Sequence, residues 1–290
     1  MCNHIDKIVL ELYFREGGVG TLIIVSALAS VIATPFLYLI DPTVLDVHRG
    51  NLGIIVITAV LDVVLLWAYL SAMQRDDSSR VIVYYQLVPI FGIVAGWIFL
   101  GEVFSGDQLV AMGIVIIGTT IVSLESVGGR FRFKGRTVGY MLLACACWAA
   151  ELAIFKVAAL EENVWRTLFW KHIILMIVGV LMVLFIPKSR ASFLAAMRTN
   201  SVPLLAANLL NEVLYMLGTV SYGLAVMLAP VALVLLTVTF QSIFVFVMAI
   251  LIARFLPQLA TERIDRTHAV MKGIAICITG LGAYLLLVAR

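Results

Sequence analysis

Nine apolar segments, each about as long as a helix that crosses a lipid bilayer, make up most of this 290-residue chain. About 20 apolar residues in a helix span the hydrocarbon core. The predicted spans are 19–40, 52–73, 81–100, 109–125, 137–158, 165–186, 203–226, 229–253 and 270–288. Turn and charge signals predict loops between them at 41–42, 74–80, 105–107, 187–201 and 257–268.

The composition excludes an ordinary soluble domain. Hydrophobic residues make up 63% of the chain and charged residues 13%. Soluble domains are about 45–50% apolar and about 25% charged. A water-soluble core of this size cannot hide so much apolar surface, so the sequence predicts an all-α integral membrane protein.

The two halves of the chain resemble each other, which predicts an internal repeat. With a shift of 153 positions, residues 69–91 align without a gap with residues 222–244. The last apolar segments also match, 111–124 with 273–286. Internal repeats are a sign of how many transporters are built. We therefore divide the chain into a first repeat (1–125), a basic connector (126–136) and a second repeat (137–290).

The first repeat has one apolar segment fewer than the second. The unmatched segment, 137–160, contains Phe155-Lys156 near its end. Aligning Lys7 with Lys156 places residue 1 about two-thirds of the way along the equivalent helix. We therefore expect the first repeat to lack most of its first helix, which leaves about nine complete spans. A mis-set or truncated start is the favoured explanation, and a genuine nine-helix variant is the other.

Lys and Arg are distributed unequally between the two ends of the spans, which predicts the orientation. Of the 20 basic residues, 15 lie on the side of the connector. Cytoplasmic loops carry the excess of Lys and Arg, so we expect the connector in the cytoplasm and the C-terminus outside the cell (inner) membrane. The five basic residues assigned to the outer side are Arg49, Lys156, Arg166, Lys171 and Arg290.

The stretch LVPIFGIVAGWIFLGEVFSGDQLVAMGIVIIGTTIVSL (87–124) resembles the end of an EamA repeat of the drug/metabolite transporter (DMT) superfamily. That pattern is a helix with Pro near its start and Leu-Gly-Glu at its end, followed by a short loop and a Gly-spaced final helix. The matching elements here are Pro89, Leu100-Gly101-Glu102 and Gly113 to Gly118.

The second half resembles the same repeat more loosely. Arg254-Phe255 stands in place of Gly-Glu, Ser242 stands in place of Pro, and the loop is longer. The resemblance implies two inverted repeats of five helices around a central substrate cavity. It also implies membrane transport of small metabolites, often export.

Polar residues inside the predicted spans are the candidate binding groups. A charge at mid-bilayer costs about 2.5–3.5 kcal/mol on insertion scales, so such residues usually face a cavity or a partner. Asp62 lies about ten residues into its span, between aliphatic neighbours that cannot neutralise it. Asn208, Asn211 and Glu212 are spaced i, i+3 and i+4, on one face of a helix. They are predicted to line a cavity; the alternative is that the Asn side chains only bond neighbouring helices.

Further candidates come from the repeat alignment and from the segment 137–158. The alignment puts Tyr215 over Asp62, so both repeats would place polar groups at the same depth. Glu151, with Trp148 one turn away, is expected to reach the same cavity. Lys156 is expected to be an interface anchor that extends outward. Glu102 is expected to be structural, as a cap before the helix that starts near 109.

These observations predict a secondary transporter of a small organic metabolite or drug-like solute, an exporter or exchanger that uses alternating access. The predicted partners are that solute and the lipid bilayer, without cofactor, metal or nucleic acid, and a homodimer is left open. The sequence contains no GxxxxGK[ST] nucleotide motif. A gradient or an exchanged solute would then supply the energy, and protonation of Asp62 or Glu212 is one way to couple it.

Two alternatives stay open. One is a membrane-embedded enzyme, which needs paired groups deep in the core, and Asp62 and Glu212 would qualify. We nevertheless expect no enzyme, because HExxH and GxSxG are absent and the four histidines are scattered near the ends of spans. His172, one of them, is expected to be structural. The other alternative is an inactive transporter fragment, because the missing helix would remove a wall of the cavity.

Overall fold

The chain forms helices throughout the part that the computed structural model describes: residues 19–76, 81, 83–125, 134–241, 243–244 and 266–288. At positions 122, 125, 196, 199–210 and 266–272 only the backbone is described. The α-helices are α1 (Val19–Ala29), α2 (Ala33–Ile40), α3 (Arg49–Met73), α4 (Val88–Leu100), α5 (Gly106–Glu125), α6 (Gly135–Glu162), α7 (Val164–Phe185), α8 (Pro187–Leu228), α9 (Val231–Thr239) and α10 (Arg266–Val288). Short 3-10 turns lie at Ser30–Ile32, Pro42–Leu45 and Tyr84–Leu87, and the described residues contain no strand.

The all-α membrane class is confirmed. Four stretches are long and apolar enough to cross a membrane: Val19–Ile40, Arg49–Met73, Gly135–Glu162 and Val164–Phe185. Three shorter apolar helices accompany them, at Tyr84–Leu100, Gly106–Ile121 and Gly273–Val288. The count of nine spans and the inverted arrangement stay predictions. The expected helix remnant (1–18), most of the connector (126–133) and the end of the eighth span (245–253) lie outside the described residues.

The predicted loop at 187–201 is wrong, because α8 is one continuous helix of 42 residues. Pro187 stands in the first turn of α8, where a missing N–H is tolerated. The Ala, Leu, Lys and Arg residues that follow it are good helix formers. At 1.5 Å per residue α8 is about 63 Å long, roughly twice the hydrocarbon thickness. The helix is therefore long enough for its polar first part to extend beyond a bilayer.

The first span bends at the 3-10 turn Ser30–Ile32, between α1 and α2. Pro35 has no N–H, so the carbonyl of Val31 loses its helical donor. Thr34 replaces that donor, because its Oγ1 donates to the Val31 carbonyl at 2.7 Å. Ser30 Oγ lies 3.1 Å from the carbonyl of His172 in α7. The bend is thus satisfied internally and fixed against α7.

Helices α5 and α10, the last apolar segments of the two predicted repeats, pack at very short range. A Cβ atom on Gly118 would lie 2.9 Å from the Ala275 carbonyl oxygen and 2.9 Å from the Thr279 nitrogen. A Cβ atom on Gly282 would lie 2.8 Å from the Val115 nitrogen. Small residues of this kind let membrane helices approach closely. The Gly spacing of the last helices therefore serves their contact with each other.

The ends of four helices are tied together by Glu102. Gly101, with φ +66°, ends α4 in the left-handed conformation that glycine favours. The Glu102 carboxylate then accepts from Lys156 Nζ in α6 at 2.8 Å and from the backbone N–H of Val231 in α9 at 2.9 Å. Lys156 Nζ also donates to the carbonyl of Ala229, directly after α8, at 3.0 Å.

Two expectations about this link are therefore wrong. Glu102 caps the start of α9, because the turn at Gly101 aims its carboxylate at Val231 and away from α5. Lys156 does not extend into the interface, because a carboxylate and a carbonyl hold its ammonium group in a half-buried position.

Candidate substrate cavity

A cavity of about 290 Å³ lies among α1, α3, α6, α7 and α8. Six of the seven predicted site residues line it: Asp62, Trp148, Glu151, Asn211, Glu212 and Tyr215. The side chain of Asn208, the seventh, lies outside what the structure describes. Asp62, Glu151 and Glu212 are buried. The structure thus brings together residues from three of the predicted spans, although their role as a site is not tested by this placement.

Asp62 and Tyr215 form a direct link between α3 and α8. The Tyr215 hydroxyl lies 2.8 Å from Asp62 Oδ1 and 2.9 Å from Oδ2, and it donates its one proton to this carboxylate. These two residues occupy equivalent positions when the repeats are aligned. Tyr215 is 39% exposed, so its ring covers the edge of the cavity while its hydroxyl points inward.

Lys171 in α7 supplies the cation of the cavity, a role that the sequence did not indicate. Its Nζ lies 2.9 Å from Asp62 Oδ2 and 2.7 Å from Glu151 Oε1. Only 2% of Lys171 is exposed. It lies seven residues inside α7, about 10 Å along the helix axis, so it does not belong to a loop at the end of the helix. Two carboxylates at hydrogen-bonding distance compensate for its removal from water.

The cluster of Asp62, Glu151, Lys171 and Tyr215 unites four helices. Each of α3, α6, α7 and α8 contributes one polar side chain from a largely apolar stretch of helix. Unpaired charges in an apolar interior are costly. The four helices therefore pack so that these side chains lie at the same level and contact each other. We call this group the ion cluster.

Aromatic rings form a second part of the cavity wall. Trp148 packs edge to face on Tyr85, with 5.5 Å between centroids, and on Tyr222, with 6.1 Å. Tyr69 stacks on Tyr85 at 6.0 Å. All four rings line the cavity. The cavity therefore has a charged region and an aromatic region, which suits a ligand with one polar and one flat apolar part.

His172 follows Lys171 but does not line the cavity. Its Nδ1 lies 2.8 Å from the carbonyl of Leu168, one turn earlier in α7. It is 1% exposed, and its Nε2 has no partner among the described residues. This placement agrees with a structural role.

A second polar network lies at the helix ends that the sequence predicts to be outside. Glu162, the last residue of α6, accepts through Oε1 from the His48 backbone N–H at 2.9 Å and from Asn51 Nδ2 at 2.8 Å. Its Oε2 accepts from Arg166 at 2.9 Å. These bonds join the start of α3 to the turn between α6 and α7, so the helices around the cavity are fixed together at this end.

Asp41 extends this network in the loop after α2. It accepts from the Thr43 hydroxyl at 2.6 Å and from the Thr43 backbone N–H at 2.9 Å. These hydrogen bonds, with a smaller contribution from Asn163, hold the pKa of Asp41 below its usual value. The carboxylate therefore remains ionised and keeps the loop closed over the start of α7.

Comparisons with known proteins agree with this architecture. Residues 14–124 match the model of the EamA-like transporter family. No curated protein matches the chain. Among 26 matching chains of solved structures, one described only as a crystal structure of a protein superposes with a TM-score of 0.57 and 14% identity. The match covers 100% of this chain and 97% of that one, and shows a shared fold.

The matched region contains the Pro89 and Leu100-Gly101-Glu102 elements and the cavity residue Asp62. Together with the apolar helices, this match supports a multi-pass membrane transporter. Residues 14–124 therefore match the EamA-like transporter family, which belongs to the DMT superfamily.

Proposed function

We propose that the protein is a secondary transporter that moves a small organic solute through the membrane, with the cavity as its binding site. The observation that carries this proposal is a ligand-sized cavity with charged groups, enclosed by helices that are otherwise apolar. Membrane proteins keep such costly groups where they bind a solute or transfer protons. Transport is also what the match of residues 14–124 to a transporter family implies.

Two contacts support an inverted pair of repeats. When a two-fold axis relates two halves, residues near the axis lie close to their own counterparts. Asp62 and Tyr215 are counterparts in the alignment and are hydrogen-bonded. The last helices of the two repeats, α5 and α10, also pack on each other. Rocking of one repeat against the other would expose the cavity to each side in turn.

Two contacts at the predicted outer end would have to break when one repeat rocks against the other. Glu102 lies in the first repeat, and its partners Lys156 and Val231 lie in the second. Asn51 in the first repeat bonds Glu162 in the second. These contacts support a state that is closed at this end, and opening would require their separation.

The test is transport by the purified protein in liposomes loaded with a defined mixture of amino acids, amines, sugars and nucleosides. Mass spectrometry of the interior should show selective loss of one solute class, and Asp62→Asn should slow that loss. Asp107→Asn, at an exposed position in α5, is the matched control and should leave it unchanged. Retention of every solute, as in empty liposomes, would reject transport of these classes. A covalently altered product would favour the enzyme alternative.

Proton coupling is tested with the same liposomes. If protonation of Asp62 or Glu212 drives transport, the rate should lose its pH dependence in Asp62→Asn or Glu212→Gln. Unchanged pH dependence in both variants would reject this coupling and would leave exchange as the energy source.

A further inference from the structure

The first part of α8, residues 187–198, is a basic amphiphilic segment, which we call the proximal segment. It contains Lys188, Arg190 and Arg198 and no acidic residue. The predicted span 165–186 ends directly before it, so we expect the segment to begin at the surface of the hydrocarbon core. Its basic residues belong to the side of the connector, which the distribution of Lys and Arg predicts to be cytoplasmic.

The helix α8 bends, because it is too long to run straight beside α7. A Cβ atom on Gly223 in α8 would lie 3.2 Å from Cγ1 of Val164, at the start of α7. The end of α7, Phe185, lies two residues before Pro187, where α8 begins. Val164 to Phe185 spans about 32 Å, whereas Pro187 to Gly223 would span about 54 Å in a straight helix. The links at the two ends add at most about 7 Å each. Pro203 is the expected position of the bend, because proline kinks helices.

The proximal segment packs against the protein along one stripe. A Cβ atom on Gly20 would lie 2.5 Å from Ser189 Oγ, so Ser189 contacts the start of α1. Phe193 and Met197 pack against the hydrophobic core. These three residues of α8 are spaced by four and share one side of the helix. The proximal segment therefore stays beside the ends of α1 and α7 and does not project freely into water.

A second stripe, displaced by one residue along the helix, is exposed. It consists of Arg190, Leu194 and Arg198, and Leu194 is 46% exposed. Successive members are one turn apart, about 5.4 Å along the axis. In the part of the chain that the structure describes, no carboxylate forms an ion pair with either guanidinium group. An apolar side chain thus lies between two uncompensated cations.

An anionic phospholipid matches this stripe better than a dissolved phosphate ion. An Arg side chain forms paired hydrogen bonds with a phosphate group, whereas Leu194 gains only from contact with an apolar chain. Phe185 and Ile186, directly before the proximal segment, are 76% and 40% exposed and extend this apolar contact. Amphiphilic helices with basic residues lie in the membrane interface in this way. The negative cytoplasmic surface of a membrane attracts such segments.

We propose that the proximal segment of α8 is a membrane-surface helix that binds anionic phospholipids of the cytoplasmic leaflet. Arg190 and Arg198 bind the headgroup phosphates, and Leu194 contacts the acyl chains. The inference goes beyond the proposed transport function and does not depend on it. Because α8 continues past its bend to Tyr215 in the cavity wall, bound lipid would anchor the near end of a cavity helix in the bilayer.

The first test is lipid binding by the purified protein in detergent micelles, measured by native mass spectrometry. Titration with phosphatidylglycerol should give binding at least tenfold tighter than titration with phosphatidylcholine. A basic residue near an anionic surface contributes about fivefold in affinity, so Arg190→Gln/Arg198→Gln should weaken phosphatidylglycerol binding about tenfold or more. Arg136→Gln, at an exposed position at the start of α6 on the same predicted side, is the matched control. It should change binding less than about twofold, well below the effect of one contacting residue.

The second test locates the proximal segment relative to the bilayer. A nitroxide spin label is attached to Leu194→Cys, with the four native cysteines replaced by Ala, in bilayers that contain phosphatidylglycerol. A label at the membrane surface should collide with dissolved oxygen more often than with a water-soluble nickel complex. The same label at Asp107→Cys, an exposed position in the first turn of α5, is the reference for a helix end.

Four results would overturn the inference. They are equal affinity for the two lipids, full affinity in Arg190→Gln/Arg198→Gln, an equal loss in Arg136→Gln, and a label at position 194 that meets the nickel complex as freely as a label in water. Displacement of phosphatidylglycerol by an equal concentration of inorganic phosphate would also overturn it, because a phosphate group alone would then suffice. The comparison of the two lipids needs only the wild-type protein, so it decides independently of the variants.

Discussion

Replacement of Lys171 by Met is the most direct perturbation of the ion cluster. Met has nearly the volume of Lys without its charge, so packing changes little and the electrostatic loss dominates. Nζ of Lys171 contacts carboxylates on both sides, Asp62 at 2.9 Å and Glu151 at 2.7 Å. Removing one partner of a buried ion pair costs about 3–5 kcal/mol because the other charge stays buried without compensation. Here two carboxylates lose their partner, so we expect a cost at the upper end of that range.

The triple variant Lys171→Met/Asp62→Asn/Glu151→Gln removes all three charges together. Replacement of a complete buried ion pair or triad by hydrophobic residues of similar volume is often neutral or stabilising, and the amides used here likewise leave no uncompensated charge. The amide oxygen that Asp62→Asn introduces would still accept the hydrogen bond that Tyr215 donates to the carboxylate at 2.8 Å in the native protein. We therefore expect the triple variant to recover most of the stability that Lys171→Met loses. We do not expect it to bind the transported solute.

The assay is reversible unfolding of the purified protein in mixed micelles, with increasing SDS and detection by tryptophan fluorescence. Lys134→Met is the matched control, because Lys134 contacts Asp76 at 3.3 Å but is 49% exposed. Asp76 is only 4% exposed, but solvent at Lys134 screens the pair, and solvent-screened pairs contribute about 0–1 kcal/mol. A cost for Lys171→Met below about 1 kcal/mol, similar to that of Lys134→Met, would refute a buried ion cluster. A triple variant less stable than Lys171→Met would refute the explanation by uncompensated charge.

Three other perturbations test separate features, the first two in the same assay. Tyr215→Phe leaves Asp62 without its hydroxyl donor and should cost about 1.5–3 kcal/mol, whereas Tyr284→Phe, at an exposed site on α10, should have no effect. Gly118→Ala places a Cβ atom 2.9 Å from backbone atoms of α10 and should cost about 1–3 kcal/mol; Gly113→Ala, with nothing within 4 Å, should be neutral or stabilising. Lys156→Met removes the ion pair at the predicted outer end. It should increase labelling, from that side, of a cysteine introduced at Ser26 in the cavity lining, and unchanged labelling would contradict a closing role.

The acidic groups of the cavity could be predicted from the sequence, because the free-energy cost of placing a charge in a membrane does not depend on the details of packing. Asp62, Glu151 and Glu212 stand out in apolar segments, and the structure places all three in the cavity lining. The repeat alignment added Tyr215, which the structure places in contact with Asp62. Depth and helical face can be read from spacing, and these were enough to select the acids.

Lys171 was missed, although the predicted span 165–186 contains it, because it was counted with the basic residues that set the orientation. A Lys near a boundary is normally assigned to the interface, where its long side chain reaches water. Only the packing of α7 against α3 and α6 shows that two carboxylates stand beside it. One signal was present: α7 begins at Val164, and Lys171 lies about two turns further along, too deep for an ordinary anchor.

The loop at 187–201 and the role of Glu102 were missed for another reason. A polar stretch after Pro is compatible with a loop and with an amphiphilic helix outside the bilayer, and hydrophobicity alone does not distinguish them. A helix begins shortly after Glu102 along the chain. The Glu102 carboxylate nevertheless accepts a hydrogen bond from the backbone N–H of Val231, 129 positions away. Contacts of that sequence separation depend on how the helices assemble, which local patterns do not contain.

The ion cluster also makes the cavity asymmetric, although its helices come from two predicted repeats. In the order of the repeats, α7 corresponds to α1. Where α7 contributes Lys171, α1 and the turn after it contribute Leu22, Ser26 and Ser30 to the lining. Charge therefore accumulates on the side of α6 and α7, while the α1 side is apolar with hydroxyl groups. Two equivalent repeats would offer a ligand two equivalent orientations. The described lining of this cavity is asymmetric, so we expect a solute to bind in one orientation and both access states to hold the same end of it.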